Sequence, residues 1–167
     1  RDCPESRGIG DVYKRQALMT SLLERHLNNP GRHNMSVAAS SYDTWLDGYK
    51  MGVRGRKGSI YVEGAVLAFL CDARIMELTA GKASLSTAMR LLWERHGQPR
   101  EGLTADMYWD TLAEVAGDRM DDLRNQHAEG TGDTWTPLVQ AMSAQGISLS
   151  KRLDDAGTIR VLLHQEN

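Results

Sequence analysis

The chain has 167 residues, 41% of them hydrophobic and 25% charged, with 20 basic residues against 22 acidic ones and a net charge of −2. That length supports one domain with a real core, and the charge balance offers no electrostatic handle for nucleic acid. The longest strongly apolar run, Ala65 to Cys71, is far short of the roughly 20 residues a membrane span needs.

Eight Met against one Phe favour a helical core filled by Leu, Met and Ala, so the expected fold class is mainly α. Residues 1–16, RDCPESRGIGDVYKRQ, carry no apolar periodicity. Asp11 to Gln16 looks like one translated frame of a sequencing-transposon end. Residues 1–16 are therefore expected to be disordered adapter read-through, with a genuine disordered basic tail as the alternative. On that reading the natural chain before Ala17 is missing.

Apolar residues at 17, 18, 22, 23 and 27 have helical spacing, and Asn28-Asn29-Pro30-Gly31 stops that helix. Ser40 or Ser41 is placed to cap a short helix through Tyr42, Trp45 and Leu46. Lys50 and Met51 to Gly58 supply four cations and three glycines, which predicts a loop with its cations facing solvent. Ser59 to Leu78 is the most hydrophobic helix and is expected to be central. Tyr61, Gly64, Ala65 and Ala68 recur at i, i+3, i+4 and i+7, so they share one face of it. Three of these four side chains are small, which lets another backbone come close.

Ser84 caps the next helix, with Leu85, Ala88, Met89, Leu92 and His96 on one stripe and Gly97 as its stop. Thr104 opens a helix that places Tyr108, Leu112 and Val115 inward and ends at Gly117. Met120 to Ala128 reads as a shorter, polar helix. Thr136-Pro137 reads as a cap followed by Pro at the first helical position. Asp154-Asp155-Ala156-Gly157 between Ile147–Leu153 and Thr158–Leu163 predicts a terminal β-hairpin. The organisation is thus 1–16 outside the fold, 17–149 a helical lobe, and 150–167 a hairpin or the start of a following domain.

Few motifs carry chemistry. The histidines stand at 26, 33, 96, 127 and 164, and no pair has the i, i+4 spacing of His-Glu-x-x-His, which sets two imidazoles on one helical face. Cys3 and Cys71 have no finger-like spacing, and Cys71 is expected to be a small buried hydrophobe. No Gly-x-Ser-x-Gly turn and no phosphate-binding glycine loop occurs. The spacing predicts no metal site.

A family resemblance adds what spacing does not. Ser40-Ser41-Tyr42-Asp43-Thr44-Trp45-Leu46, a basic loop, then Ser59-Ile60-Tyr61-Val62-Glu63-Gly64-Ala65 resembles the glycyl aminopeptidase family. Leu27-Asn28-Asn29-Pro30-Gly31-Arg32, Ser84-Leu85 with Met89-Arg90-Leu91-Leu92-Trp93, Val115-Ala116-Gly117 and Gly130-Thr131 are similar to family segments in the same order. The resemblance implies the helical C-terminal lobe of a thermolysin-like catalytic domain from a zinc aminopeptidase that removes N-terminal residues, often followed by a PDZ domain. Its implied cofactor is zinc in the full-length enzyme, with none bound by this fragment. Its implied partners are a peptide substrate and the missing N-terminal lobe of the same chain, and the fragment alone is expected to be inactive.

Tyr61, three residues before Gly64, matches the family's Tyr-x-Lys-Gly motif. The resemblance implies that its hydroxyl stabilises the oxyanion while zinc polarises the scissile carbonyl and a Glu takes the proton of the bound water. Glu63 departs from the Lys frequent at its position, and the polar 120–130 segment departs from the family's aromatic one, which predicts loose packing there. The alternative function is a non-catalytic helical interaction module. A soluble protein is expected, and nothing in the residues separates periplasm from cytoplasm.

Overall fold

The computed structural model describes residues 4–47, 53 and 55–165. Helix α1 (Pro4–Leu27) leads through a 3₁₀ turn at Pro30–His33 into α2 (Val37–Asp47) and then α3 (Ile60–Leu78). Next come α4 (Leu85–Leu92), prolonged by a π-turn at Trp93–Gly97, α5 (Ala105–Ala116), and α6 (Asp121–Leu123), prolonged by a π-turn at Arg124–Ala128. Helix α7 (Trp135–Ser143) and an antiparallel hairpin of β1 (Ile147–Leu153) and β2 (Ile159–Gln165) complete the order. The mainly helical class and the terminal hairpin read from the sequence are what the structure has. No described helix is long and apolar enough to cross a membrane.

Helix α3 is central because its apolar residues repeat at helical spacing. Val62, Val66, Leu70, Cys71 and Ile75 are all buried, and α3 packs against α1, α2, α4, α5, α6 and α7. Leu23 and Leu27 of α1, Leu112 of α5 and Leu138 and Met142 of α7 meet it in one core. Fully buried aliphatic side chains of this kind contribute about 1.5–3 kcal/mol each. Cys71 is the small buried hydrophobe expected. Burial, helped by the Asp122 carboxylate, pushes its thiol up to about 12, so the nucleophilic thiolate is suppressed. Cys3 lies outside the described residues.

Several local readings shift. Helix α1 begins at Pro4, upstream of the start set by periodicity, so helical backbone crosses residues 4–16. A nucleated helix propagates one hydrogen bond at a time and needs no apolar stripe to do so. Ser36, not Ser40 or Ser41, sits at the start of α2, where its hydroxyl accepts from the Ala39 N–H at 3.1 Å. Arg56 and Lys57 do not simply face solvent, since both pair with Asp43, at 2.6 and 3.1 Å. Residues 50–52 and 54 of that basic loop lie outside the described residues. The 120–130 segment is not loose, because Met120, Leu123, His127 and Ala128 are all buried.

Ser84 does open α4, through a capping box with Thr87, and Thr104 caps α5 by accepting from the Met107 N–H at 3.2 Å. Gly117 ends α5 at a φ of +74°, a left-handed conformation that suits glycine. The hairpin pairs Ile147 with Gln165 and Leu153 with Ile159. The Asn28 side chain bonds both the N–H and the C=O of Ile159 at 2.9 Å, and Glu24 accepts from the Val161 N–H at 3.1 Å. Glu24 of α1 and Asn28 just after it thus occupy the outer edge of β2 and fasten the hairpin to the helices.

Candidate functional site

Tyr61 stands on the first turn of α3 and is 64% exposed. Ala65, one turn on, is exposed, Gly64 and Ala68 are half-buried, and a Cβ added at Gly64 would meet nothing within 4 Å. The small-residue face read from the sequence is therefore open on the described surface. The neighbouring α2 is inverted relative to an ordinary surface helix. Its polar Ser40 is buried and Asp43 and Thr44 are half-buried, while Tyr42, Trp45 and Leu46 are 78%, 89% and 85% exposed. These three side chains form an exposed apolar patch on the described surface.

On the opposite side of the same turn of α3, Glu63 points inward. Its Oε2 lies 2.6 Å from His26 Nδ1, and His26 Nε2 lies 2.6 Å from the Thr134 hydroxyl. Arg32 Nη1 donates to that hydroxyl at 3.4 Å. Relative exposures of 1% for His26, 7% for Glu63 and 9% for Thr134 place the set inside the protein. Hydrogen-bond accounting gives the chain a direction. With Arg32 donating to the Thr134 oxygen, the hydroxyl proton is directed at Nε2, and the imidazole proton is assigned to Nδ1, facing the carboxylate. A guanidinium thus stands at one end and a carboxylate at the other, an arrangement that offsets part of the cost of burying both.

Tight backbone packing surrounds this cluster. A Cβ at Gly31 would lie 2.2 Å from the Lys57 carbonyl oxygen, and one at Gly58 would lie 2.8 Å from Glu63 Cγ. His127 lines the same cavity, and burial holds its imidazole below the usual histidine range. Thr134 precedes α7, two residues upstream of the cap expected at Thr136. Its side chain makes no cap bond because the hydroxyl is committed to His26. Asp133 Oδ1 accepts from the Trp135 N–H instead, at 3.3 Å, and Pro137 falls at the third helical position, where a missing N–H is still free of cost.

A hydroxyl, an imidazole and a carboxylate in this order resemble a hydrolytic triad. Access is narrow. The Thr134 hydroxyl is buried and capped by Arg32, and the adjoining cavity, about 20 Å³, has room for about one water molecule. The cluster is built to hold structure. It also accounts for Glu63, the departure at the Lys position: an acidic side chain suits a site whose facing groups are His26 and Arg32.

Sequence spacing did not bring these residues together, since 37 residues separate His26 from Glu63 and 108 separate it from Thr134. One signal was present. His26 falls on the stripe of Leu22, Leu23 and Leu27, and a histidine within an apolar stripe has to find partners inside the core.

Residues 5–67 match the family model described as M61 glycyl aminopeptidase. This part of the chain is glycyl aminopeptidase-like. The match holds Tyr61, Glu63 and His26 together, takes in residues 5–16, and stops well before Thr134. It supports a peptidase-family origin for the chain, and hydrolase chemistry with a metal cofactor for the family's full enzymes. Comparison with curated proteins and with solved structures gives no significant match. Among the described residues no group of three His, Cys, Asp or Glu converges as a metal site, and both His26 nitrogens are already engaged. The described side chains do not fit the metal that such peptidases imply, so no reaction step here is assigned to one.

Proposed function

We propose that this chain is the helical lobe of an aminopeptidase of the glycyl aminopeptidase kind, and that Tyr61 is its oxyanion hydrogen-bond donor. The observation that carries the reading is the placement of Tyr61 within the matched segment. The phenol stands exposed on the first turn of the central helix, over an open small-residue face, while the other side of that turn is locked in the core. A phenol offers one directed O–H donor, and a donor aimed at developing negative charge acts mainly on the transition state. Zinc, the cofactor of the complete enzyme on this reading, is held by residues other than those described. The open face of α3 and the outward face of α2 receive the remaining lobe of the same protein, and the peptide substrate lies between.

The purified 167-residue chain is therefore expected to give no hydrolysis of glycyl or alanyl p-nitroanilide, with or without added zinc. Zinc-dependent turnover by this chain, lost in Tyr61→Phe, would overturn the assignment of the metal to another part of the protein.

The outward Tyr42, Trp45 and Leu46 also favour a second reading, a non-catalytic helical interaction module. Both readings predict an uncovered apolar face, so the isolated chain is expected to bind ANS and to self-associate with rising concentration in sedimentation velocity. A preparation that stays monomeric and ANS-silent would contradict both. The two readings part at the coding sequence, where only the first requires a His-Glu-x-x-His motif.

A further inference from the structure

Glu63 Oε1, Arg32 Nε and His127 Nδ1 are buried and have no hydrogen-bond partner among the described residues. All three side chains line one cavity of about 20 Å³, between the start of α2 and the segment before α7. Glu63 and His127 are each 7% exposed, so neither atom can turn to bulk solvent. A polar atom buried in this way almost always has a partner in a folded protein. Distant parts of the sequence meet here. Arg32 comes from the 3₁₀ turn Pro30–His33, Glu63 from the first turn of α3, and His127 from the π-turn Arg124–Ala128. Gly130 then lets the chain double back, because a Cβ there would lie 2.5 Å from the Asn125 carbonyl oxygen. That return brings Gly130 to Gly132 into the cavity wall.

We propose that this cavity is a binding site for one internal water molecule, which pairs Glu63 Oε1, Arg32 Nε and His127 Nδ1 at once. Size sets the number: a water needs about 10–15 Å³ of such room, and the 20 Å³ present admits one and not two. Charge sets the kind of occupant. The carboxylate disfavours an anion, and the guanidinium on the same wall disfavours a metal cation. A small neutral molecule with both protons and lone pairs suits the two together. Hydrogen-bond accounting then closes. Arg32 Nε–H is a donor only, and an ionised Glu63 oxygen is an acceptor only. Burial holds His127 below the usual histidine range, so its ring is neutral near pH 7 and one ring nitrogen is a bare acceptor. With the ring proton on Nε2, the water donates to Glu63 Oε1 and His127 Nδ1 and accepts from Arg32 Nε–H. Three partners fall within the two to four that an internal water typically takes. The water joins the π-turn to the Glu63–His26–Thr134 chain, and both Glu63 oxygens then have a partner, His26 being the other. The site does not depend on the peptidase reading.

Oxygen-17 relaxation dispersion of the solvent counts waters held inside a protein for longer than it tumbles, and it tests the site on the 167-residue chain. The unsubstituted chain is expected to show a dispersion whose amplitude corresponds to at least one such water. His127→Phe removes the bare nitrogen and adds a volume comparable to one water's share of the liquid, ~30 Å³. Its amplitude is expected to fall by one water. His127→Asn, whose amide oxygen reaches near the place of Nδ1, is expected to keep that water, with far-UV circular dichroism checking that both variants are folded. A flat profile from the unsubstituted chain would overturn the site, and so would an unchanged amplitude in folded His127→Phe. If His127→Phe does not fold, a crystal structure of the unsubstituted chain decides. A density peak about 2.7–3.2 Å from all three atoms is expected. A peak at about 2.0–2.2 Å with anomalous signal would make the occupant a metal ion and overturn the proposal, as would direct pairing of the three atoms with one another.

Discussion

Replacing His26 with Leu is expected to lower the unfolding free energy by about 3–5 kcal/mol, the cost of leaving a buried carboxylate without its partner. For a chain of this length that corresponds to a fall in melting temperature on the order of 10 °C. The size follows from where the groups sit. His26 is 1% exposed and Glu63 7%, and the loss strands the carboxylate together with the Thr134 hydroxyl, neither of which can recover its bonds from solvent. Leu matches the imidazole roughly in volume, so a cavity contributes little to the loss. Glu63→Gln is expected to cost much less, about 1 kcal/mol, because an amide oxygen still accepts from Nδ1–H. Guanidinium titrations of the two variants check both values. A His26→Leu chain within about 1 kcal/mol of the unsubstituted one would mean that the 2.6 Å contacts carry no net stability.

In the complete peptidase, Tyr61→Phe is expected to reduce kcat by about 10²–10³-fold, equivalent to roughly 2.7–4 kcal/mol of transition-state stabilisation. KM should change little, because the hydrogen bond strengthens only as charge develops on the carbonyl oxygen. Phe keeps the ring and removes only the hydroxyl of a residue that is 64% exposed, and far-UV circular dichroism checks that the fold is kept. Steady-state kinetics on a glycyl or alanyl p-nitroanilide separate the outcomes. A fall in kcat at constant KM supports the donor role. A rise in KM at constant kcat would make Tyr61 a ground-state contact, and no change in either would remove it from the site.

The architecture was legible wherever one physical signal dominated. The central helix declared itself through the hydrophobic content of Ser59 to Leu78, although the stripe it buries, Val62, Val66, Leu70, Cys71 and Ile75, is not the small-residue face that the spacing singled out. The hairpin declared itself through alternation around Asp154 to Gly157, and the starts of α4 and α5 through Ser84 and Thr104. Illegible features were those set by tertiary contact. Ser36 caps α2 in place of Ser40 because Ser40 is drawn into the interior. Thr134 displaces Thr136 as the residue before α7 because its hydroxyl has a partner on α1. Arg56 and Lys57 turn to Asp43, a choice that local sequence does not encode.

The candidate site divides the same way. Tyr61 came from the family resemblance, and the structure places it, exposed, on the first turn of α3. Glu63 stood out only as a departure from the family pattern, and its reason lies 37 residues away at His26. Long-range polar pairs leave no periodic trace, so they become visible only once the helices are packed. The polar 120–130 segment misled in the opposite direction: its few apolar residues, Met120 and Leu123, are all turned inward, which is enough to seat it.

The most direct test of the central claim, that this is the helical lobe of a zinc aminopeptidase, is to read the source coding sequence upstream of the matched segment, before Glu5. The account predicts a His-Glu-x-x-His motif followed by a downstream Glu in the same frame, two imidazoles and a carboxylate being the ligand set such a site needs. An intact frame that lacks them would contradict it and would leave the helical interaction module as the reading that fits the open face of α2 and α3.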